Sequence, residues 1–258
     1  MHAQLFSNGR YTVLLTDAGA GFSRWRNLAV TRWREDPIRD SFGSYLFLRD
    51  VDSGVVWSAG TQPCGFAADE YAATLSDAGA RIVRRDGTLT TTLEVAVAPD
   101  VDAEVRLVTV ANHGGSTRTI EFTSYAELVL GSAAADASHP AFSKLFVQTE
   151  CVIDGVGRNL LLARRRRRDP DEPSAWAAHF ALSESTGAFE FETDRARFVG
   201  RSRALRQAAA MQRDAALSNT TGTVLDPIFS ARCRLSIAPG ANVSVAFVTM
   251  AAESREAS

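Results

Sequence analysis

The sequence predicts an all-β protein built from two large antiparallel sheets stacked face to face, with little helix. Three observations carry that reading: apolar residues recur at every second position in run after run, compact turn signals separate the runs, and stretches of helical composition are scarce. A strand points successive side chains to opposite faces, so a period of two marks segments with one buried face and one wetter face. The runs amount to roughly fourteen to eighteen short strands, which a chain of domain size accommodates as two packed layers.

In chain order, the strand rhythm is first broken at residues 24–40. Asp86-Gly87 has the composition of a tight hairpin, and Leu89, Val95 and Val97 then alternate with Thr90, Thr92 and Glu94. After the turn Asn112-His113-Gly114-Gly115, Ile120, Phe122, Ala126 and Leu128 oppose Glu121, Thr123, Tyr125 and Glu127. Asp154-Gly155 marks another turn. Strands at residues 160–163 and 176–182 flank a run of five arginines, residues 164–168, followed by Asp169-Pro170-Asp171-Glu172-Pro173. That run reads as a solvated loop, or as a contact with an acidic partner domain. Residues 204–217 have the best helical propensity and read as a short helix or an irregular loop. Phe229, Ala231, Cys233, Leu235 and Ile237 oppose Ser230, Arg232, Arg234 and Ser236; Pro239-Gly240 turns the chain into Val243, Val245 and Phe247. Residues 250–258 look like a helix that starts and stops, which raises the expectation that the natural protein continues beyond Ser258.

Composition narrows the function classes. Basic and acidic residues number 28 and 30, a net charge of −2, so no overall field draws nucleic acid or anionic lipid. Lys144 is the only lysine. So strong an arginine bias reads as the usage of a GC-rich genome, with arginine clamps on planar or anionic groups as the second explanation. Cys64, Cys151 and Cys233 are widely spaced and odd in number, with no CxxC pair, so no disulfide framework is expected. Cys233 shares a parity with apolar residues and is expected as a buried, reduced thiol. No run of about 18 apolar residues occurs and the first residues lack the pattern of a secretory signal, so the expected location is cytoplasmic. No HExxH, P-loop, GxGxxG or GxSxG is present, and no metal or cofactor is expected.

Few residues point to chemistry. Sandwich-type sugar enzymes transfer a proton with histidine and a carboxylate. Here His2, His113, His139 and His179 are scattered, and nothing in the sequence joins them to Glu150, so no catalytic residue is assigned. Residues 21–45 are the most distinctive stretch, with Arg24-Trp25-Arg26 and Arg32-Trp33-Arg34 eight residues apart. Indole faces stack on the C–H faces of sugar rings while arginine and carboxylate groups bond hydroxyls. Arg24, Trp25, Arg32, Trp33 and Asp36, with Asp40, are therefore candidate glycan contacts. The alternative makes the tryptophans core residues with arginine stems packed over them.

Several ordered segments resemble cyclic β-1,2-glucan synthases, in their region of glycoside hydrolase family 94. These are Ser7-Asn8-Gly9-Arg10-Tyr11-Thr12-Val13, Gly21-Phe22-Ser23-Arg24-Trp25 and Leu28-Ala29-Val30-Thr31-Arg32-Trp33. Further along come Ser124-Tyr125-Ala126-Glu127-Leu128-Val129-Leu130, the stretch from His139-Pro140-Ala141-Phe142 to Glu150, Phe198-Val199-Gly200-Arg201 and Leu225-Asp226-Pro227-Ile228-Phe229. The resemblance implies a single galactose-mutarotase-like β-supersandwich over residues 1–258, of the kind that precedes linker helices and a catalytic α/α barrel. In such proteins the barrel uses phosphate to cleave β-1,2-glucosidic bonds, and the parent sits in the bacterial inner membrane. The sandwich supports the barrel and builds a dimer interface, and one of its loops can reach the partner subunit's active site. The resemblance thus implies three partners: a β-1,2-glucan or oligosaccharide, the barrel of the same protein, and a second copy. It gives residues 21–33 the place of an active-site rim and carries no catalytic residue over. It also implies that the chain without its barrel exposes apolar surface and self-associates.

Overall fold

The computed structural model describes residues 2–32, 34, 43–167, 169, 172, 174–183 and 189–256. Among them lie seventeen strands. The first six are β1 (Ala3–Ser7), β2 (Tyr11–Thr16), β3 (Gly21–Trp25), β4 (Leu28–Thr31), β5 (Ser44–Asp50) and β6 (Val56–Ser58). Next come β7 (Glu70–Ser76), β8 (Gly79–Asp86), β9 (Leu89–Val97), β10 (Ala103–Asn112) and β11 (Arg118–Gly131). After two short helices, α1 (Ala133–Ser138) and α2 (Pro140–Lys144), follow β12 (Val147–Ile153), β13 (Asn159–Arg165), β14 (Trp176–Ser183) and β15 (Glu190–Asp194). A last short helix, α3 (Arg195–Val199), precedes β16 (Pro227–Ile237) and β17 (Asn242–Ala252).

The strands form two sheets, as the period-two pattern predicts. Sheet one has nine strands in the order β1-β2-β3-β4-β11-β16-β15, with β5 also on β11 and β6 on β5. Sheet two has eight, in the order β12-β13-β14-β17-β10-β9-β8-β7. Every strand pairing is antiparallel. Asp86-Gly87 turns β8 into β9 as expected. Strand β17 closes sheet two by pairing with β10 on one side and β14 on the other. Its ladder reaches Ala252, so residues 250–252 are strand where the sequence suggested a nascent helix. Strand β14 offers all three residues ladder partners and β10 offers one to Met250, whereas one isolated helical turn is unstable.

The fourteen-residue β11 is the spine of sheet one. Strand β16 lines one edge from Arg118 to Glu127; β5 pairs along Ile120–Ala126 of the other edge and β4 takes over at Leu128 and Gly131. The handover falls at a register shift, where Leu130 adopts a φ of 48°. Between the sheets lies the main core, including Leu48, Trp57, Phe122, Phe229 and Phe247.

The face of β11 expected to be wetter is buried instead: Glu121, Thr123, Tyr125 and Glu127 are all at most 1% exposed. Residues 195–217 fold over this outer face and make a second core, in which Phe198, Leu205, Ala208, Ala210 and Met211 pack near Tyr45, Phe47 and Tyr125. Residues 204–217 are therefore neither a regular helix nor a loose loop. They form two 3-10 turns, Leu205–Gln207 and Ala209–Met211, because the buried positions 205, 208, 210 and 211 do not follow a 3.6-residue stripe. Gly200, at φ 85°, opens this segment where a Cβ would stand 2.9 Å from that of Ala209. The five-arginine run is also less loop-like than expected, since Arg164 and Arg165 belong to β13.

His179 on β14 sits inside the main core, stacked near Phe229 and Phe247 at centroid distances of 5.5 and 6.2 Å. Its Nε2 lies 2.8 Å from Ser124 Oγ and its Nδ1 2.9 Å from Thr249 Oγ1. Burial, reinforced by the Arg106 charge, pushes its pKa from 6.5 down to about 3. The unfolded chain therefore binds a proton that the folded chain refuses between those values, and stability must fall as pH drops through that window. Urea denaturation from pH 6.5 to 4.5 is expected to show a loss of about 1.4 kcal/mol per pH unit from this group. In His179→Gln that slope should vanish; an unchanged slope would show that His179 is not the group responsible.

Candidate functional site

The β3–β4 hairpin carries most of the sequence-derived candidates, and the pleat sends them to different places. Gly21, Ser23 and Trp25 point inward; Phe22 and Arg24 point outward. Trp25 is 3% exposed and belongs to the main core. Its Nε1–H donates to Asp102 Oδ2 at 2.7 Å, and the Arg26 guanidinium lies 4.7 Å from its ring centroid. This is the alternative the sequence left open, a core tryptophan beneath an arginine stem. Only the rim of Trp25 reaches a cleft of about 620 Å³, which it shares with Arg26, Leu28, Arg167 and Glu253.

Arg32 is likewise occupied internally. At 4% exposure it donates from Nε and Nη2 to both carboxylate oxygens of Asp136, at 2.7 and 2.6 Å, and from Nη1 to Glu127 Oε2 at 2.7 Å. A planar guanidinium matches a carboxylate in this two-bonded geometry, which a lysine could not reproduce. Asp136 comes from α1, whose N-terminus is capped by Ser132 Oγ accepting from Ala135 N at 3.1 Å. Glu127 accepts in addition from Arg195 Nε at 2.8 Å and from the Tyr125 hydroxyl at 2.9 Å. Burial acts to raise the Glu127 pKa, but Arg195 and Arg32 outweigh it and hold the carboxyl below its ordinary range. The Tyr125 hydroxyl moves the other way, pushed well up by burial and by the Glu127 charge.

What remains open is a cleft of about 300 Å³ on the outer face of sheet one, between the β3–β4 hairpin and α1. Phe22, Ala29 and Val129 supply apolar wall, and Arg24, Arg32 and Asp136 supply polar wall. Arg24 is exposed and makes no side-chain hydrogen bond or ion pair among the described residues. The structure thus brings Arg24 and Arg32 together and sends Trp25 elsewhere. Trp33, Asp36 and Asp40 lie outside the described residues.

The histidines do not converge. His113 lies after β10 with its Nε2 3.1 Å from Thr90 Oγ1, His139 separates α1 from α2, and Glu150 on β12 pairs with Arg255 at 2.7 Å. No group of three or more potential metal ligands occurs among the described residues. Cys233 is buried, and burial pushes its pKa up to about 12, the state expected from its parity; Cys64 and Cys151 are also free thiols. No described helix is long and apolar enough to cross a membrane.

Sequence reasoning missed Glu127, Asp136 and Arg195. The available signal was the pair Glu121 and Glu127 on one parity of a long strand, in a chain rich in arginine. Glu121 repeats the pattern: it accepts from Arg49 Nε at 2.8 Å and Arg234 Nε at 3.1 Å. The arginine bias therefore carries clamps on carboxylates, the second of the two explanations it admitted.

The model for the glycosyl hydrolase 94 supersandwich domain matches residues 1–258. A cyclic beta-(1,2)-glucan synthase of Rhizobium meliloti (strain 1021) is 42% identical over 255 residues, which is 98% of this chain and 9% of that protein. Among solved structures, an Escherichia coli K12 protein assigned as an aldose 1-epimerase matches with a TM-score of 0.53 at 10% identity, covering 98% of this chain and 99% of that one. A bacterial glucoamylase complexed with acarbose matches with a TM-score of 0.53 at 10% identity, over 96% of this chain and 31% of that one. Likeness at such identities shows the fold alone: the mutarotase-like sandwich of two large sheets.

Removing one member of the buried charge group leaves its partners uncompensated. Glu127→Ala is expected to cost about 3–5 kcal/mol in urea denaturation, because Arg32 and Arg195 lose their shared acceptor. A loss below about 1 kcal/mol would mean that water or a rearranged Asp136 satisfies both guanidinium groups.

Proposed function

The chain belongs to the glycosyl hydrolase 94 supersandwich family, and from that premise we propose that it is a non-catalytic accessory domain of a bacterial β-1,2-glucan synthase. In this reading it scaffolds a catalytic barrel encoded elsewhere in the parent, contributes to a dimer interface and helps hold the glucan chain. The domain works on the cytoplasmic side, in a parent anchored in the inner membrane. The observation that carries glucan holding is the cleft between the β3–β4 hairpin and α1. There an exposed Arg24 faces apolar wall from Phe22, Ala29 and Val129, beside an Arg32 already fixed by Asp136 and Glu127. Preformed clefts with a few oriented donors suit a neutral polyhydroxyl ligand, which gains by hydrogen bonds to its hydroxyls and by contact of its C–H faces with apolar wall.

A second reading is a purely structural, oligomer-forming module. It is favoured by the internal use of Trp25 and Arg32, whose polar atoms are already bonded within the chain. Calorimetric titration with linear β-1,2-gluco-oligosaccharides separates the two. Binding in the millimolar range is expected, weakened about fivefold, or about 1 kcal/mol, by Arg24→Ala. Exposed Arg81 on β8, whose pair with Glu94 is solvent-accessible, gives the control Arg81→Ala. No heat at millimolar sugar, or equal loss in both variants, would favour the structural module.

Scaffolding has its own support in exposed apolar side chains. Phe66 (60% exposed) and Val55 (59%) flank a cleft of about 600 Å³ that continues to Met211 of the second core. Such surface is normally covered. Sedimentation velocity is expected to show concentration-dependent self-association that Phe66→Ser reduces. A chain that stays monomeric at high concentration would remove this support.

A further inference from the structure

We infer that a second, independent carbohydrate subsite lies at the β12 edge of sheet two, built around Trp176 and taking one hexopyranose unit of a neutral oligosaccharide. It shares no residue with the Arg24 cleft and rests on the glucan reading only for the choice of sugar.

The site is a cleft of about 310 Å³ that three strands and two further segments converge to line. Strand β12 supplies Gln148, Thr149 and Glu150; β13 supplies Arg164; β14 supplies Trp176; and the loop at Gly222 and Thr223 closes it together with Arg255. An isolated β-bridge ties that loop down, with Thr149 N–H donating to the Gly222 carbonyl at 2.9 Å and Gly222 N–H to the Thr149 carbonyl at 2.8 Å. The walls are therefore held by backbone, and the cleft is preformed.

Its side chains are oriented before any ligand arrives. Arg164 donates from Nε and Nη2 to Gln148 Oε1 at 3.1 and 3.0 Å, and the Gln148 amide N–H₂ reaches Thr223 Oγ1 at 3.5 Å. This chain places the Arg164 guanidinium 5.7 Å from the centroid of the Trp176 ring. On the same lining, Glu150 Oε1 accepts from Arg255 Nε at 2.7 Å. The result is an indole wall bordered by a guanidinium, a carboxylate, an amide and a hydroxyl. Hydroxyl-rich rings need this combination: an aromatic face or edge for the C–H side, and donors and acceptors together for hydroxyls that both give and take hydrogen bonds. An anionic ligand fits less well, because Glu150 stands beside Arg255, and a purely apolar ligand would strand the polar rim.

The test is a titration of the full chain with a linear β-1,2-gluco-pentasaccharide, followed through the indole N–H resonances of the ¹⁵N-labelled protein. The Trp176 resonance is identified by its disappearance in Trp176→Phe. A saturable shift of that resonance is expected, with the dissociation constant raised at least fivefold by Glu150→Gln, a half-exposed position whose substitution leaves the core intact. A Trp176 resonance that stays still to about 50 mM sugar, while Arg24-dependent binding persists, overturns the second subsite and spares the first. A shift that is indifferent to Glu150→Gln overturns the assigned polar wall. No binding at either place overturns both.

Discussion

The charge pairing along the outer face of β11 is the constraint on which the rest of sheet one depends. Glu121 and Glu127 are each 1% exposed or less, and a carboxylate that deep is tolerated only where cations reach it. Arg49, Arg232 and Arg234 approach Glu121, and Arg32 and Arg195 hold Glu127. Burial alone would raise both carboxyl pKa values, yet the surrounding guanidinium groups leave both lowered. Each pair also fixes a piece of chain. Arg32 pins α1 through Asp136, and Arg195 places the start of the covering segment. Arg232 donates to the carbonyls of Ala210 and Ala215, which holds the 3-10 turns against the sheet. The second core is thus attached to sheet one by ions as well as by Phe198 and Met211.

That arrangement explains which parts of the fold were legible in the sequence. Sheet membership follows from local alternation, so β9, β16 and β17 could be read from residues such as Leu89, Cys233 and Val245. Whether the other parity of a strand meets water depends on what later chain covers it, which alternation does not encode. Tyr125 and Glu127 look like a solvent face until residues 195–217 are laid over them. The end of β17 was misread for a related reason, since only its neighbour β14 shows that residues 250–252 all have ladder partners. Among candidate ligand contacts, Arg24 and Trp25 are adjacent in sequence and opposite in space, a consequence of the pleat that the strand assignment itself would have given. Arg32 could not have been placed, because Asp136 lies 104 residues away in sequence.

The two clefts differ in how they relate to that buried system. The Arg24 cleft stands directly on it: its wall is Arg32 and Asp136, so an occupant there touches groups whose geometry is set by Glu127 deep in sheet one. The Trp176 cleft is held by backbone pairing between Thr149 and Gly222 and by surface side chains. Perturbing Glu127 should therefore disturb the first far more than the second. A sandwich that presents one cleft on each sheet can touch a long polymer at two separated points. Two weak contacts on one chain reinforce each other through effective concentration without either being strong. That arithmetic is what the proposed role of holding a glucan chain would draw on.

His179 is not placed to pass a proton to a ligand. A general base must reach its substrate and carry a proton near working pH. His179 has its two ring nitrogens against Ser124 and Thr249 and its faces near Phe229 and Phe247, and burial holds it neutral down to about pH 3. From there it serves packing, by joining β14 to β11 across the core with a polar link that an apolar residue could not make. Glu150, the carboxylate that might have partnered it, faces Arg255 at the β12 edge instead. Their placement ties the histidine to stability and leaves the carboxylate half-exposed at the β12 edge, where it lines the Trp176 cleft.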